Sequence, residues 1–248
     1  MKNVFVIGVG LIGGSFALDI KSVYPDTIIY GIDVNKSHLE EALDLGVIDK
    51  KASLDQLAEA GLVILAVPVD KAIDLLPIVL DNISDDTVVF DVGSTKQNIC
   101  KAVNKHPKRR NYLSAHPIAG TEFSGPKAAV KGLFKGKTNI ICEMEKTDRE
   151  IYKIALKIFT KLNMNIIHMD TKSHDMHVAY VSHLSHISSF MLGKTVIEKE
   201  KNQKNIFDLA GSGFESTVRL AKSSPETWTP IFLQNKKNLV LAIEEYIY

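Results

Sequence analysis

The feature that most constrains this chain is a glycine-rich turn between a β-branched run at residues 3–8 and an amphipathic stretch at residues 11–23. The turn reads Gly-x-Gly-x-x-Gly, the pattern by which a strand passes into a helix in dinucleotide-binding α/β folds. The first glycine permits the tight turn, the second lets a pyrophosphate reach the backbone, and the third lets the helix pack against the strand. The motif predicts a pyrophosphate at the positive end of the helix, bound by Gly8, Gly10, Leu11, Ile12 and Gly13.

A carboxylate ends the second strand-like run, residues 27–33, and lies 20 residues after Gly13. At this place Asp33 can accept hydrogen bonds from both hydroxyls of a ribose, and its charge repels a 2′-phosphate. The sequence therefore predicts NAD as the cofactor rather than NADP. Lys36 keeps the alternative open, because its ammonium group could tolerate a phosphate.

Strand-like and helix-like segments alternate through the first two thirds of the chain, which predicts a doubly wound α/β unit with a mostly parallel, Rossmann-type sheet. Apolar runs at 62–68 and 87–93 are continuous, as in strands buried on both faces. Pro77 is expected either to bend its helix or to cap a shorter one. Further strands are expected at 112–117, 139–144 and 165–170, and helices at 36–45, 70–80 and 148–161.

The pattern changes after Asp170, where strand signals end and helical periodicity continues from 171 to about 201. Residues 205–248 indicate two or three more helices, broken at GSG and SSPE. We therefore expect a dinucleotide-binding domain at 1–170 and a helical substrate and dimerisation domain at 171–248. A helical domain of this size buries its amphipathic faces poorly by itself, which favours a homodimer formed through these helices.

Composition narrows the class of protein. The 248 residues carry a formal net charge of +1, so neither nucleic acid nor an acidic membrane surface is indicated as a partner. The two cysteines lack metal-ligand spacing and suit a reducing compartment. A strand begins at residue 3 and no apolar run approaches about 20 residues. We therefore expect neither a signal peptide nor a membrane span, and a cytoplasmic protein.

Three strand ends are expected to share one edge of the sheet with the glycine-rich turn, and ligands bind at that edge in open α/β sheets. Val67 and Pro68 follow one strand and are assigned to the cofactor site. Ser94 follows the next, where it could cap a helix or hydrogen-bond the nicotinamide or a catalytic group. His116 ends the third. Its imidazole could be a strand-end side chain bonded to backbone, or the base that takes a proton when an alcohol is oxidised.

Five segments occur in order along nearly the whole chain: GVGLIGGSFA, DVGSTK, AHPIAGTEFSGP, HDMHVAYVSHLSH and GSGFESTVRLAKSSPETWTPIFLQN. Together they resemble the prephenate/arogenate dehydrogenase family of tyrosine biosynthesis. The resemblance implies an NAD-dependent oxidoreductase that converts prephenate to 4-hydroxyphenylpyruvate with loss of carbon dioxide. By the same resemblance, His116 is the catalytic histidine and Ser94 orients it.

The resemblance also implies which residues bind the substrate, whose two carboxylates require cationic donors. Arg219 matches the family's substrate-binding arginine, and a guanidinium can hold a carboxylate through two parallel bonds. Ser212 stands where glycine is common in the family, near the substrate side chain, and leaves arogenate open as the alternative substrate. The other implied pocket residues are Glu122, which helps to gate the pocket, and His183, His186 and Trp228.

Two rival functions differ in class from this one. The histidines at 174, 177, 183 and 186 invite a metal site. On a regular helix His174 and His183 point in opposite directions, so one ion cannot bind all four, and no metal is expected. A dinucleotide-sensing module without turnover would keep the glycine turn and Asp33 but would need no base. The candidate base and the candidate carboxylate-binding arginine argue against such a module.

Overall fold

The computed structural model describes residues 2–201, 203 and 205–248. The chain divides into two compact units, Met1–His174 and Asp175–Tyr248. The boundary expected at residue 170 lies close to this division, and as a domain boundary it stays a prediction. No helix in the described ranges is long and apolar enough to span a membrane.

The first unit is built on one mixed sheet, which the described residues form from eight strands in the order β3-β2-β1-β4-β5-β6-β7-β8. Every neighbouring pair is parallel except β6 and β7. This arrangement confirms the predicted mostly parallel, doubly wound class. The strands are β1 (Asn3–Ile7), β2 (Ile28–Ile32), β3 (Lys50–Lys51), β4 (Leu62–Leu65), β5 (Val88–Asp91), β6 (Tyr112–Pro117), β7 (Thr138–Cys142) and β8 (Asn165–Met169).

Helices cover both faces of this sheet, as the continuous apolar runs require. Side chains alternate along β1, so Val4 and Val6 belong to one buried cluster while Phe5 and Ile7 belong to the other. The helices of the first unit are α1 (Leu11–Val23), α2 (Lys36–Asp44), α3 (Val69–Asn82), α4 (Gln97–Ala102), α5 (Arg149–Lys161) and the start of α6 (Thr171–Val178). Pro77 lies inside α3, so of the two alternatives considered for this proline the shorter, capped helix is wrong.

The reversed direction of β7 decides where the chain leaves the sheet. Pro117 pairs with Asn139 and Ser114 with Cys142, so β7 starts beside the carboxyl end of β6. β8 is parallel to β7, and its last residue, Met169, pairs with Cys142. Met169 therefore lies level with Ser114, which is two residues before His116 in β6. The chain leaves β8 at this level, and α6 begins there.

The regular secondary structure of the second unit is helical throughout its described residues. The stretch expected as one long helix from 171 to about 201 is α6, a π-helical turn at Ala179–His183, and α7 (Leu184–Glu200). The π turn changes the angular register of the histidines after it, which the assumption of a regular helix did not include. The later helices are α8 (Ser212–Val218), α9 (Pro225–Gln234) and α10 (Lys236–Ile247), consistent with the breaks expected at GSG and SSPE.

Candidate active site

The glycine-rich turn follows β1 and leads into α1, and two of its glycines have no room for a side chain. Gly8 has a φ of +91°, and a Cβ there would lie 2.3 Å from the carbonyl oxygen of Ala66. A Cβ on Gly13 would lie 2.0 Å from the carbonyl oxygen of Gly8. Both obstacles are backbone atoms, which cannot rotate away. The turn therefore brings β1, β4 and the first turn of α1 into direct backbone contact.

The N-terminal end of α1 is open toward the same side. Gly10 is the N-cap residue of α1, and a Cβ added there would have the amide nitrogen of Gly125, at 4.0 Å, as its nearest neighbour from the rest of the fold. Leu11 and Ile12 begin the helix and are half-buried. Amide groups in a first helical turn have no acceptor within the helix, so this end can bind an anion. The geometry fits the pyrophosphate of a dinucleotide.

Asp33 follows β2 and is tied to the glycine-rich turn. Its Oδ2 accepts a hydrogen bond from the amide of Val9 at 3.1 Å, and its Oδ1 accepts one from the amide of Asn35 at 2.9 Å. Each carboxylate oxygen has further acceptor capacity for a ribose hydroxyl. Val34 beside it is fully exposed and offers an apolar surface next to the carboxylate.

Val67 and Pro68 follow β4, directly after the Ala66 carbonyl that meets Gly8. Val67 is half-buried, whereas Pro68 is exposed and is the N-cap residue of α3. Because β1, β4, β5 and β6 are parallel, the segments after these strands lie along one edge of the sheet. The cofactor residues expected from the sequence in this unit therefore share that edge.

Ser94 lies in the segment after β5 and is half-buried. It is not the N-cap of the following helix, because α4 begins at Gln97 with Lys96 in the cap position. The capping role considered for Ser94 is therefore wrong.

A buried ion pair fixes the backbone around Ser94 and His116. Lys96 Nζ lies 2.5 Å from Asp91 Oδ2 and donates to the carbonyl oxygen of Ala115 at 2.6 Å. Asp91 also accepts from the amide of Gly93 at 2.9 Å and from the hydroxyl of Tyr112 at 2.7 Å. Both charged side chains are at most 1% exposed. One salt bridge thus joins the residue before Ser94 to the residue before His116.

Tyr112 is the neutral partner in this buried group. Burial, with the neighbouring charge of Asp91, raises the pKa of Tyr112 well above its ordinary value. The phenol therefore remains a donor to the carboxylate. A charged pair taken out of water needs such additional hydrogen bonds to be tolerated. Local sequence patterns did not reveal this cluster, since lysine is almost never fully buried without a partner and no local pattern indicates one.

His116 is the fifth residue of β6 and is half-buried. Its Nδ1 lies 2.8 Å from Nε2 of His174, and the two rings meet edge to face with their centroids 5.0 Å apart. His174 lies in the first turns of α6 and is fully buried. His116 thus lies near the carboxyl end of its strand, as predicted, and its side chain contacts a second imidazole. From the sequence, His174 was a candidate only as a metal ligand.

The loop after His116 carries Glu122, which is half-buried. The segment that follows this loop is anchored on α1. The Ser15 hydroxyl accepts from the amide of Val130 at 2.9 Å, and Asp19 Oδ1 accepts from the amide of Gly132 at 2.5 Å. Burial raises the pKa of Asp19, although the amide of Gly132 opposes this rise. The helix that opens the dinucleotide site therefore also holds the far end of the His116 loop.

In the second unit, two of the expected pocket residues stack on each other. The His186 ring lies parallel to the Trp228 indole, with centroids 3.4 Å apart and an interplanar angle of 20°. His186 Nδ1 donates to the carbonyl oxygen of Ser182 at 3.0 Å, which leaves Nε2 as an acceptor. Burial lowers the pKa of His186, against the hydrogen bond to Ser182, and the charge of Arg219 lowers it further. His186 is therefore neutral near pH 7.

The remaining residues of the second unit that the sequence singled out differ in exposure. His183 is buried at the end of the π turn, with Nδ1 3.1 Å from Asn235 Nδ2. Arg219 is exposed at the end of α8, and Ser212 is exposed in its first turn. Within the described residues, no three histidine, cysteine, aspartate or glutamate side chains are grouped as metal ligands.

Comparisons with known proteins indicate the same family for both parts of the chain. Residues 16–168 match the family model described as prephenate dehydrogenase, nucleotide-binding domain, and residues 170–248 match prephenate dehydrogenase, dimerization domain. The chain is 32% identical to a prephenate dehydrogenase of Bacillus subtilis, over 100% of this chain and 68% of that protein.

Two solved structures are also similar. Prephenate dehydrogenase from Aquifex aeolicus, in complex with hydroxyphenyl propionate and NAD+, is 33% identical with a TM-score of 0.91, covering 99% of this chain and 87% of that one. Synechocystis arogenate dehydrogenase is 27% identical with a TM-score of 0.78, covering 98% of this chain and 87% of that one.

Proposed function

The chain belongs to the prephenate dehydrogenase family, and we propose that it catalyses the NAD-dependent oxidative decarboxylation of prephenate to 4-hydroxyphenylpyruvate, a step of tyrosine biosynthesis. The observation that carries this proposal is His116, an imidazole at the carboxyl edge of a dinucleotide-binding sheet, bonded through Nδ1 to a second buried imidazole. We assign proton transfer to Nε2, the other nitrogen of this ring. A site that only senses a dinucleotide would not need a group that accepts a proton.

The cofactor is NAD, which accepts a hydride from the substrate carbon when it is bound. Gly8, Gly10, Leu11, Ile12 and Gly13 would hold its pyrophosphate at the start of α1, where the backbone is closely packed yet open to an anion. Asp33 would accept hydrogen bonds from the ribose hydroxyls, and its negative charge disfavours a 2′-phosphate. We assign Val67, Pro68 and Ser94 to the nicotinamide half of the site, because they follow the adjacent strands at the same edge.

We assign the catalytic base to His116 and an orienting role to Ser94. Imidazole has an unperturbed pKa of about 6.5 and can therefore accept a proton near neutral pH. His116 would take the proton of the substrate hydroxyl as the hydride leaves, and would return it to the phenolic oxygen after carbon dioxide departs. Formation of the aromatic ring supplies the driving force, so the protein needs few catalytic groups and acts chiefly by positioning.

We assign substrate binding to Arg219 as the carboxylate partner, because a guanidinium stays charged and offers parallel donors. His186 would contribute a neutral acceptor stacked on Trp228, since the pKa of His186 is lowered by burial and by Arg219. The remaining residues assigned to substrate binding or gating are Glu122, His183 and Ser212.

Arogenate is the second candidate substrate. It differs from prephenate in carrying an amino group where prephenate has a side-chain keto group. Two observations favour considering it: the 27% identity to the Synechocystis arogenate dehydrogenase and the acceptor nitrogen of neutral His186. A kinetic comparison of prephenate and arogenate, each with NAD and with NADP, tests the proposal. We expect the highest kcat/KM for prephenate with NAD. Tight NAD binding without turnover of either substrate would instead indicate a sensor.

We further propose that the enzyme is a cytoplasmic homodimer that associates through its helical unit. The match to a dimerization domain at residues 170–248 supports the dimer. The two cysteines, Cys100 and Cys142, are both buried thiols, which suits a reducing compartment. Light scattering of the purified protein should give twice the mass of one chain, and a monomer mass at micromolar concentration would contradict the dimer.

A further inference from the structure

We propose that His174 is a positioning residue that fixes the tautomer of His116, with His174 Nε2 accepting a hydrogen bond from His116 Nδ1–H. The inference rests on the proposed function, because it concerns the imidazole assigned as the base. It adds a residue from α6, beyond the sheet, to the machinery of proton transfer. Neither the strand-end pattern nor the glycine motif points to this residue.

The contact is short and its partner is held firmly. The 2.8 Å separation between His116 Nδ1 and His174 Nε2 is that of a good hydrogen bond. His174 has no exposed surface, whereas His116 is half-buried. The buried ring can therefore orient the half-buried one without itself meeting the substrate.

Asp170 fixes the start of α6 and with it the position of His174. Its Oδ1 accepts from the amides of Lys172 at 3.0 Å and Ser173 at 2.9 Å, as an N-cap side chain does. Its carbonyl oxygen accepts from the amide of His174 at 3.0 Å. The first turn of the helix is thus capped one turn before the ring that meets His116.

Tautomer logic decides the direction of the bond. A neutral imidazole carries one N–H, and in a bond between two neutral rings one nitrogen donates while the other accepts. If His174 donated, His116 would carry its own proton on Nε2 and could not accept another there. If His116 donates from Nδ1, its Nε2 holds the lone pair that a base requires. The proposed role of His116 therefore fixes His174 as the acceptor.

The same bond survives proton transfer. When His116 gains a proton on Nε2, both of its nitrogens carry hydrogen, and Nδ1–H still donates to His174. No side chain has to rotate between the two protonation states. Carboxylates and carbonyl groups do this work for the imidazole in other acid–base sites, where the orienting partner sets the tautomer. Here a neutral imidazole would do so without adding a negative charge.

Activity measurements on two variants test the role. His174→Phe keeps a flat ring but removes the acceptor, and we expect kcat with prephenate to fall by about 10- to 100-fold, the usual effect of losing a group that orients another. The KM for NAD should change by less than about twofold, because the glycine-rich turn is untouched. His174→Gln offers a side-chain carbonyl as acceptor and should recover most of kcat. Equal losses in both variants would overturn the proposal.

A spectroscopic measurement tests the bond apart from turnover. Histidine labelled with ring ¹⁵N gives distinct nitrogen shifts for the two tautomers, and the His116 signals are assigned by their loss in His116→Asn. We expect the Nδ1–H tautomer of His116 in the native protein and in His174→Gln, and its loss or mixing in His174→Phe. An Nε2–H tautomer in the native protein, or an unchanged signal in His174→Phe, would overturn the proposal.

A matched control comes from the same unit. His106 bonds to Asp81 at 3.1 Å and lies before β6, away from the strand end that carries His116. His106→Gln should leave both kcat and the His116 signals unchanged. The outcomes also separate the two proposals. If His116→Asn keeps full turnover, the assigned base is wrong, while the tautomer measurement still reports whether His174 orients His116.

Discussion

The amide of Val9 donates a hydrogen bond to the carboxylate of Asp33 over 3.1 Å, so the end of β2 is joined to the glycine-rich turn. One side chain therefore holds the turn and is also the carboxylate that we propose accepts hydrogen bonds from the ribose. The two tasks can be separated by substitution, because an amide oxygen can accept the bond from Val9 without carrying charge.

Asp33→Asn and Asp33→Ala should both reduce the preference for NAD over NADP. We expect the ratio of kcat/KM for the two cofactors to narrow by about tenfold or more, since removing the charge removes repulsion of the 2′-phosphate. Asp33→Ala should also weaken the binding of both cofactors, because it loses the bond to Val9, whereas Asp33→Asn should weaken it less. An unchanged cofactor ratio in both variants would show that another residue excludes the phosphate.

Gly13→Ala should lower the affinity for NAD and the stability of the fold together. Its Cβ would lie 2.0 Å from the Gly8 carbonyl oxygen, so the backbone of the turn has to move. We expect at least about a tenfold rise in the Kd for NADH by fluorescence titration, with a lower Tm. Gly193→Ala is the control, since its Cβ would meet only side-chain carbons, the nearest at 3.7 Å. Equal affinities in the two variants would contradict the close packing.

His116→Asn should bind NAD normally and turn over slowly. We expect kcat to fall by about 10²–10⁴-fold, the usual contribution of a general base. The Kd for NAD should be unchanged, because no contact of the glycine-rich turn is altered. Steady-state kinetics and a separate NADH titration give the two values. A variant with nearly native kcat would show that the proton leaves by another route.

Arg219→Ala should raise the KM for prephenate by about tenfold or more while leaving kcat less affected, as expected for a residue that binds a carboxylate. Arg219→Lys keeps the charge but loses the two parallel donors, so it should recover only part of the affinity. Lys222→Ala is a matched control, because Lys222 is exposed in the same turn. A similar KM in Arg219→Ala and Lys222→Ala would place the carboxylate elsewhere.

His186 should make the fold sensitive to acid. Burial, together with the charge of Arg219, lowers its pKa below the unperturbed value of about 6.5. The unfolded chain then binds the proton more readily than the folded chain, so the free energy of unfolding falls as the pH drops below about 6.5 and is unaffected well above it. Denaturant melts from pH 7.5 to 5 should show a smaller loss for His186→Gln than for the native protein. Parallel curves would mean that His186 does not stay neutral in the fold.

Local sequence patterns predicted most of the fold. The glycine-rich turn, the apolar runs of β4 and β5, and the strand ending at His116 all follow from spacing and residue type. The direction of β7 could not be predicted in this way, because an apolar run has the same pattern in a parallel and in an antiparallel pair. The π turn at Ala179–His183 could not be predicted from local periodicity either, since a single wide turn leaves the helical pattern of the sequence almost unchanged.

Spacing and residue type predicted the candidate site only where its residues follow strands, whereas the helical residues were implied by the family resemblance. His116 and His174 are 58 residues apart, and no local pattern connects them. Asp91 and Lys96 were visible within the DVGSTK segment, but their complete burial was not, because it depends on Tyr112 and on the carbonyl oxygen of Ala115. Contacts of this kind are set by the packing of distant segments, which periodicity does not encode.

The enclosed Asp91–Lys96 pair restricts the paths by which this sequence can diverge. Replacing either member alone would leave a lone charge in an interior without water, at a cost of about 3–5 kcal/mol. Replacing both by apolar residues of similar volume would avoid that penalty, yet such a double change has to pass through one of the two damaged intermediates. We therefore expect the two residues to be inherited together, and a designed library that varies them independently to recover mainly variants in which both are kept or both are apolar.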